Sequence, residues 1–518
     1  MEKKRNTGTL LDALRSEDLE TVLRVLDAIV EDRGRLAELD AETRKRLLVA
    51  AGRASRPETH QERRLARAFR RRRREAIERS DRRVRATAGI RAAREAAVFV
   101  APAPAQPAPG PERELQKPKS CYVCKREFTR LHSFYDALCP DCAALNYEKR
   151  FQTAALDGRV ALVTGARVKI GFQAALKLLR AGARVIAVTR FPHDAAARYG
   201  READFGAWRE RLQVHGLDLR HSPSVELFAR FVERSHDRLD LLINNACQTV
   251  RRPAGFYGHL LDFEQRPLPE LPAELQPLVA THHRFADALE SRGALAAPRP
   301  PDATGLMAFH GGRSGVGVSA SALLSQVRYT YEDAERRPDL FPPGSRDADL
   351  QQLDLRERNS WRLGLSEVET PELLEVQLVN AVAPFVLCAR LKGLMSGVPS
   401  RDAHVVNVSA MEGIFSRGTK TDRHPHTNMA KAALNMMTLT SARDYVRHGI
   451  HMNAVDTGWV TDEDPFVHAA RKKDELDFQP PLDVVDGAAR ICDPLFSGLL
   501  TGQHLWGKFL KDYKPSSW

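Results

Sequence analysis

Four cysteines fall within one short stretch, Cys121 and Cys124 followed by Cys139 and Cys142. Each Cys-x-x-Cys turn can set two thiolates on one side of a tetrahedral ion, and the intervening loop brings the two pairs together. Four sulfur ligands leave no open coordination position, so the expected chemistry is a structural Zn²⁺ site rather than a catalytic one. Thiol redox exchange at either pair is the alternative, and His132 between the pairs reads as a surface residue. A second constellation is glycine-rich, running Thr164-Gly165-Ala166-Arg167-Val168-Lys169-Ile170-Gly171. Such a turn lets backbone amides and a helix N-terminus face a pyrophosphate. The third is Lys431, with Thr427 four residues earlier on the same helical face and His426 and His424 just before it. Imidazoles titrate near neutral pH, so this group could move a proton.

The elements that must position these groups follow from the apolar pattern. Residues 159–164 form a short apolar run suited to a buried parallel strand, 172–181 a helix and 183–188 a second strand. Together they make a βαβ unit of about thirty residues. The expected fold class is α/β, a doubly wound parallel sheet of Rossmann type. An acidic residue after the second strand would favour a free ribose hydroxyl, whereas a basic one favours a 2′-phosphate. Thr189-Arg190 stands there and Arg167 lies in the glycine loop, which points to NADP(H) rather than NAD(H).

Around this core the composition changes several times. The chain has 518 residues and a formal charge of +12, but the excess is concentrated in an arginine-dense N-terminal block. Residues 1–100 read as helical, beginning with a small bundle and continuing at 62–94 as a long solvated helix that contains five consecutive arginines, 70–74. A Pro/Ala linker occupies 101–116, the four-cysteine module 117–150 and the sheet domain 151–518. No run of 18 apolar residues occurs, and the start is charged and amphipathic, so a soluble cytoplasmic protein without membrane contact is expected.

Beyond the first βαβ unit, the order of motifs resembles the short-chain dehydrogenase/reductases. Thr164, Gly165 and Gly171 match the glycine motif, and Leu217-Asp218-Leu219 looks like the adenine-contacting segment. Asn244-Asn245-Ala246 looks like the fourth-strand motif, 375–394 like the long helix with its structural asparagine, here Asn380, and 404–409 like the fifth strand. Residues 427–431 resemble the active-site helix, 455–458 with Thr461 the loop after the sixth strand, and 507–512 the last strand. The resemblance implies a dinucleotide site built from Thr164, Gly165, Arg167, Lys169, Ile170, Gly171, Thr189, Arg190, Asp218, Leu219, Asn245, Ala246, Lys431 and Gly458. It also implies a homo-oligomer pairing through the helices at 375–394 and 427–445.

The departures are as informative. Lys169 replaces the second glycine, where it could obstruct a pyrophosphate or bind it. Thr427 stands where the family has its proton-transferring tyrosine, and a threonine hydroxyl cannot ionise usefully near neutrality. The serine position falls on Ala410, while Ser409 should point to the other side of its strand. Asn380 and Lys431 survive of the usual four, with His426 as a substitute acid–base group. Arg251 and Arg252 could meet an anionic substrate. An insertion at about 250–371, with helix-like stretches at 277–291 and 323–335, reads as a lid or partner-binding element on the substrate side. Three readings follow: an NADP-dependent oxidoreductase for a carbonyl, alcohol or imine whose identity stays open; a nucleotide-binding sensor or scaffold without turnover; and a protein that contacts nucleic acid through its basic N-terminus and zinc module. Protein partners would use the N-terminal helices or the insertion.

Overall fold

The computed structural model describes residues 16–95, 113–291, 314–328 and 337–518. Most of the Pro/Ala linker therefore lies outside the described residues, as does the end of the helix expected at 323–335. The chain forms two compact units, Met1–Arg79 and Ser80–Trp518. In the first, α1 (Ser16–Glu31), α2 (Ala41–Ser55) and most of α3 (Thr59–Ala86) form as expected. They do not build the small bundle core that their leucine spacing suggests: no residue from 17 to 79 is buried, and Val30 is 80% exposed.

The second unit begins inside α3. Here the reading of 62–94 as a solvated helix needs correction. Asp81 is buried and its carboxylate accepts from the Gln116 and Lys117 amides (2.8 and 3.1 Å). Arg91, in α4 (Gly89–Glu95), is buried against Asp136 and Asp477. Asp81, Arg85, Arg91 and Arg94 at this end of the arginine-rich block are structural because each is held by a partner. The cysteine module follows as a hairpin, β1 (Arg113–Ser120) and β2 (Glu127–Leu131), with α5 (Pro140–Phe151).

An eight-stranded sheet organises the rest. Its strands are β3 (Val160–Thr164), β4 (Arg184–Thr189), β5 (Leu212–Gly216), β6 (Leu241–Asn244), β7 (Ala403–Ser409), β8 (Ile450–Asp456), β9 (Phe509–Lys511) and β10 (Lys514–Ser516). They lie in the order β10-β9-β8-β7-β6-β3-β4-β5, parallel except for β10. Strands buried on both faces read as continuous apolar runs, as VALVT in β3 and RVIAVT in β4 do. One apolar layer packs under α6 (Lys169–Arg180) and α13 (Val484–Thr501). The other lies under α8 (Ser222–Ser235) and the long helix α10, which runs from Thr370 to Ser396. That helix is apolar and long enough to cross a membrane, yet the larger part of its apolar stretch is buried in the protein. It opens into a π turn at Leu378–Val382, which carries Asn380.

The insertion does more than roof the substrate side. Its helix α9 (Gln276–Leu289) packs on β5, the edge strand, with Leu275, Leu278 and Val279 entering the core. The His282 imidazole accepts from the Gly216 amide (3.3 Å). An otherwise open sheet edge is thereby covered. Residues 347–359 of the same insertion turn back over the carboxyl ends of the strands.

Candidate dinucleotide site and cysteine cluster

A cavity of about 510 Å³ opens at the carboxyl ends of β3, β4 and β6, the crevice where open parallel sheets place ligands. The glycine loop forms its floor. Thr164 is locked beneath, its hydroxyl accepting from the Asn245 and Ala246 amides (both 3.0 Å) while the Asn245 side chain donates to Thr164 O (3.0 Å). Closeness explains the two retained glycines. A Cβ on Gly165 would sit 2.8 Å from Ala246 Cα, and one on Gly171 would sit 2.3 Å from Asn245 Nδ2 and Gly165 O. Lys169, the first residue of α6, has φ +54°, in the left-handed region where glycine is at ease. That geometry accounts for the glycine expected there and shows that the lysine is held against its backbone preference. Its side chain and the helix N-terminus face the cavity, an arrangement suited to a pyrophosphate.

The two arginines expected to read the ribose are not equivalent. Arg167 is committed to Asp194 (2.7 Å) and to Gln351 of the insertion (3.3 Å). Arg190 donates to the Tyr257 hydroxyl (2.7 Å) and lies 4.7 Å from that ring's centre; it makes no direct ion pair among the described residues, though its charge helps to hold the Asp218 carboxyl down. It is the cation available to an anionic group. Thr189 is buried and its hydroxyl accepts from Phe191 N (3.2 Å). Asp218 lines the cavity with both oxygens accepting from Arg220; burial pushes its carboxyl up, but Arg220 outweighs this and holds it below the usual range. Ile170, Leu219, Asn245 and Ala246 also line the cavity, whereas Thr164, Lys431 and Gly458 do not.

The expected chemical set is drawn in behind this wall. Asn380, His426, Thr427 and Lys431 are all buried, and none of them lines the cavity. Lys431 Nζ donates to Val408 O (2.7 Å), and Asn380 exchanges hydrogen bonds with the Gln248 backbone (2.7 and 3.3 Å). His426 Nε2 lies 3.3 Å from Glu372 Oε1 without hydrogen-bond geometry, and among the described residues the Thr427 hydroxyl has no partner. Trp361 of the insertion stacks on His424 at 3.9 Å. Ser409 points away from the cavity, donating to Asn435 Oδ1 (2.6 Å). The substrate-side arginines are each ion-paired, Arg251 with Glu375 (3.2 Å) and Arg252 with Asp354, and Arg252 also lines the cavity.

Sequence reasoning missed Tyr257, Glu375 and the insertion residues Asp347, Gln351, Asp354 and Asn359. Nothing in the irregular 347–359 segment marks it as pocket-lining. The basic position of Arg190 could have prompted a search for an aromatic platform.

In the cysteine module the four sulfurs lie within 4.8 Å of one another, with Cys124 and Cys139 3.6 Å apart. A tetrahedral ion with bonds of about 2.3 Å would set its ligands about 3.8 Å apart, so this donor set fits zinc. The Arg126 guanidinium and amide pull the Cys124 thiol down, while burial pushes the thiols of Cys139 and Cys142 up. His132 faces elsewhere, its Nδ1 accepting from Phe134 N (3.0 Å).

Two family models match the chain, one described as short chain dehydrogenase over residues 159–258 and one as enoyl-(acyl carrier protein) reductase over 360–478. An uncharacterised protein of Acanthamoeba polyphaga mimivirus is 28% identical over 389 residues, covering 73% of this chain and 71% of that protein. Dehydrogenase/reductase SDR family member 13 of Bos taurus is 39% identical over 105 residues, which span 19% of this chain and 27% of that protein. The NADPH-bound carbonyl reductase of chicken fatty liver aligns at 16% identity and a TM-score of 0.39, over 70% of this chain and all of that one. The two matched segments flank most of the insertion and carry the strands β3 to β8, and over them this chain is similar to the short-chain dehydrogenases.

Proposed function

We propose that the sheet domain binds NADP(H) and works as an oxidoreductase on a carbonyl, alcohol or imine. The observation that carries this reading is the cradle between Gly165, Gly171 and the start of α6, with Arg190 held by Tyr257 at its far end. The bound nucleotide would supply or accept the hydride. In this chain Lys169 and the α6 amides would hold the pyrophosphate and Arg190 the 2′-phosphate. Asn245 and Ala246 shape the floor, and Lys431 is the candidate to fix the nicotinamide ribose. With threonine at 427, proton transfer falls to His426, beside the Glu372 carboxylate, or to a water. We further propose that Cys121, Cys124, Cys139 and Cys142 hold one structural Zn²⁺.

A second reading, nucleotide binding without turnover, draws support from the burial of His426, Thr427 and Lys431 behind the cavity wall. One assay separates the two: NADPH oxidation by the full chain against a panel of aldehydes, ketones and imines. An enzyme shows substrate-dependent oxidation that His426→Ala lowers by roughly two to four decades, with NADPH affinity nearly unchanged. A normal rate in that variant rules out the imidazole, and oxidation never above the uncatalysed rate leaves the binder.

A further inference from the structure

Between β8 and α13 the chain makes an excursion, residues 457–482, and its segment 461–466 forms one wall of the cavity. Both feet of this excursion are held by the cysteine module and the helix before it. At the first foot, Tyr122, which lies between two of the clustered cysteines, accepts from Trp459 N at 2.9 Å. Gly458 has φ +75°, and a Cβ there would lie 2.5 Å from Leu482 and 3.4 Å from the Tyr122 hydroxyl. Two residues further on, Val460 is buried in the same apolar cluster as Cys121, Cys139, Leu482 and Val484. At the second foot, Asp477 pairs with Arg85 and Arg91 (both 2.6 Å), and Arg94 donates to Pro480 O and Leu482 O (both 2.6 Å). From the other side the insertion's Asn359 donates to Glu463 O (2.9 Å).

Tyr122 itself is fixed by the module. Its amide donates to Ala137 O (2.9 Å) and its carbonyl accepts from Lys125 Nζ (2.6 Å). Those are the turns that the four sulfurs hold together, so an ion bound there would fix the position of the tyrosine hydroxyl. One wall of the cavity is thus tied to the four-cysteine cluster through the Tyr122 hydroxyl and the packing of Val460.

We infer that Tyr122 is a positioning residue that couples the four-cysteine cluster to the dinucleotide pocket by holding the 457–469 wall. This rests on the nucleotide reading above for its binding consequence, but not for its structural one. The test uses the full chain carrying Tyr122→Phe, which removes the hydroxyl and keeps the ring. Zinc content should match the wild type. Amide exchange at 457–469 should quicken by about ten-fold, with exchange in β3 and β7 unchanged. NADPH affinity should fall by about three- to ten-fold, the worth of one net hydrogen bond. Removing zinc from the wild type with a chelator should reproduce the local exchange change. If the wild type binds no dinucleotide, the nucleotide reading fails while the exchange arm still decides the coupling. Unchanged exchange at 457–469 in Tyr122→Phe overturns the inference, as does quickened exchange with NADPH affinity intact.

Discussion

Lys169 offers two effects that can be separated by two substitutions at one position. Its φ of +54° places a side-chain-bearing residue in left-handed backbone, which costs about 1–2 kcal/mol. Lys169→Ala keeps that cost and removes the ammonium. Lys169→Gly removes both, but gives back about 0.5–1 kcal/mol through the freer unfolded chain. The glycine variant should therefore be more stable than the alanine variant by about 1 kcal/mol, or about 1–2 °C in Tm for a unit of this size. The charge is felt across the pocket: burial pushes the Glu463 carboxyl up, yet the Lys169 ammonium and the Thr461 hydroxyl more than offset it. An ammonium so placed on a pyrophosphate should be worth about ten-fold in affinity, lost equally in both variants. Thermal unfolding and fluorescence titration with NADPH read the two effects independently. Equal Tm values for the two variants would refute the backbone argument. Tighter NADPH binding by Lys169→Gly would show that the side chain obstructs the site.

Metal analysis of purified, untagged protein should find one zinc per chain, and Cys139→Ser should abolish it; a zinc-free wild type would remove the site. His215 is buried with neither ring nitrogen partnered, flanked by Phe228 and Phe231, and burial pushes its pKa down to about 3. The folded chain keeps it neutral while the unfolded chain protonates it near 6.5, so its stabilising contribution is intact above pH 6.5 and is lost as pH falls towards 3. The stability of His215→Phe relative to wild type should accordingly rise by about 1.4 kcal/mol per pH unit between pH 6 and 4, measured by denaturant titration; a pH-independent difference would contradict it.

The parallel sheet and its glycine loop were readable because buried strands leave unbroken apolar runs and the βαβ spacing is short, as in 159–188. The cysteine spacing likewise predicted sulfurs that the fold brings within 4.8 Å of one another. What stayed hidden depends on long-range packing. Periodicity at 62–94 shows a helix but not that Asp81 and Arg91 are buried by partners 35 to 386 residues away. The leucines of α1 and α2 promised a bundle, yet Leu19, Leu23 and Leu48 are exposed and Leu26 and Leu47 only partly buried. Glu375 and Asp354, which neutralise Arg251 and Arg252, lie more than 100 residues beyond them, where no local pattern announces the pairing.

The central claim is that the sheet domain holds a 2′-phosphorylated dinucleotide at Arg190, and equilibrium titration of the full chain with NADPH and with NADH tests it most directly. NADPH should bind more tightly, and Arg190→Asp should reverse the order, because a carboxylate there repels the phosphate and can accept from the free ribose hydroxyl. A wild type that prefers NADH, or that binds neither nucleotide, would contradict the account.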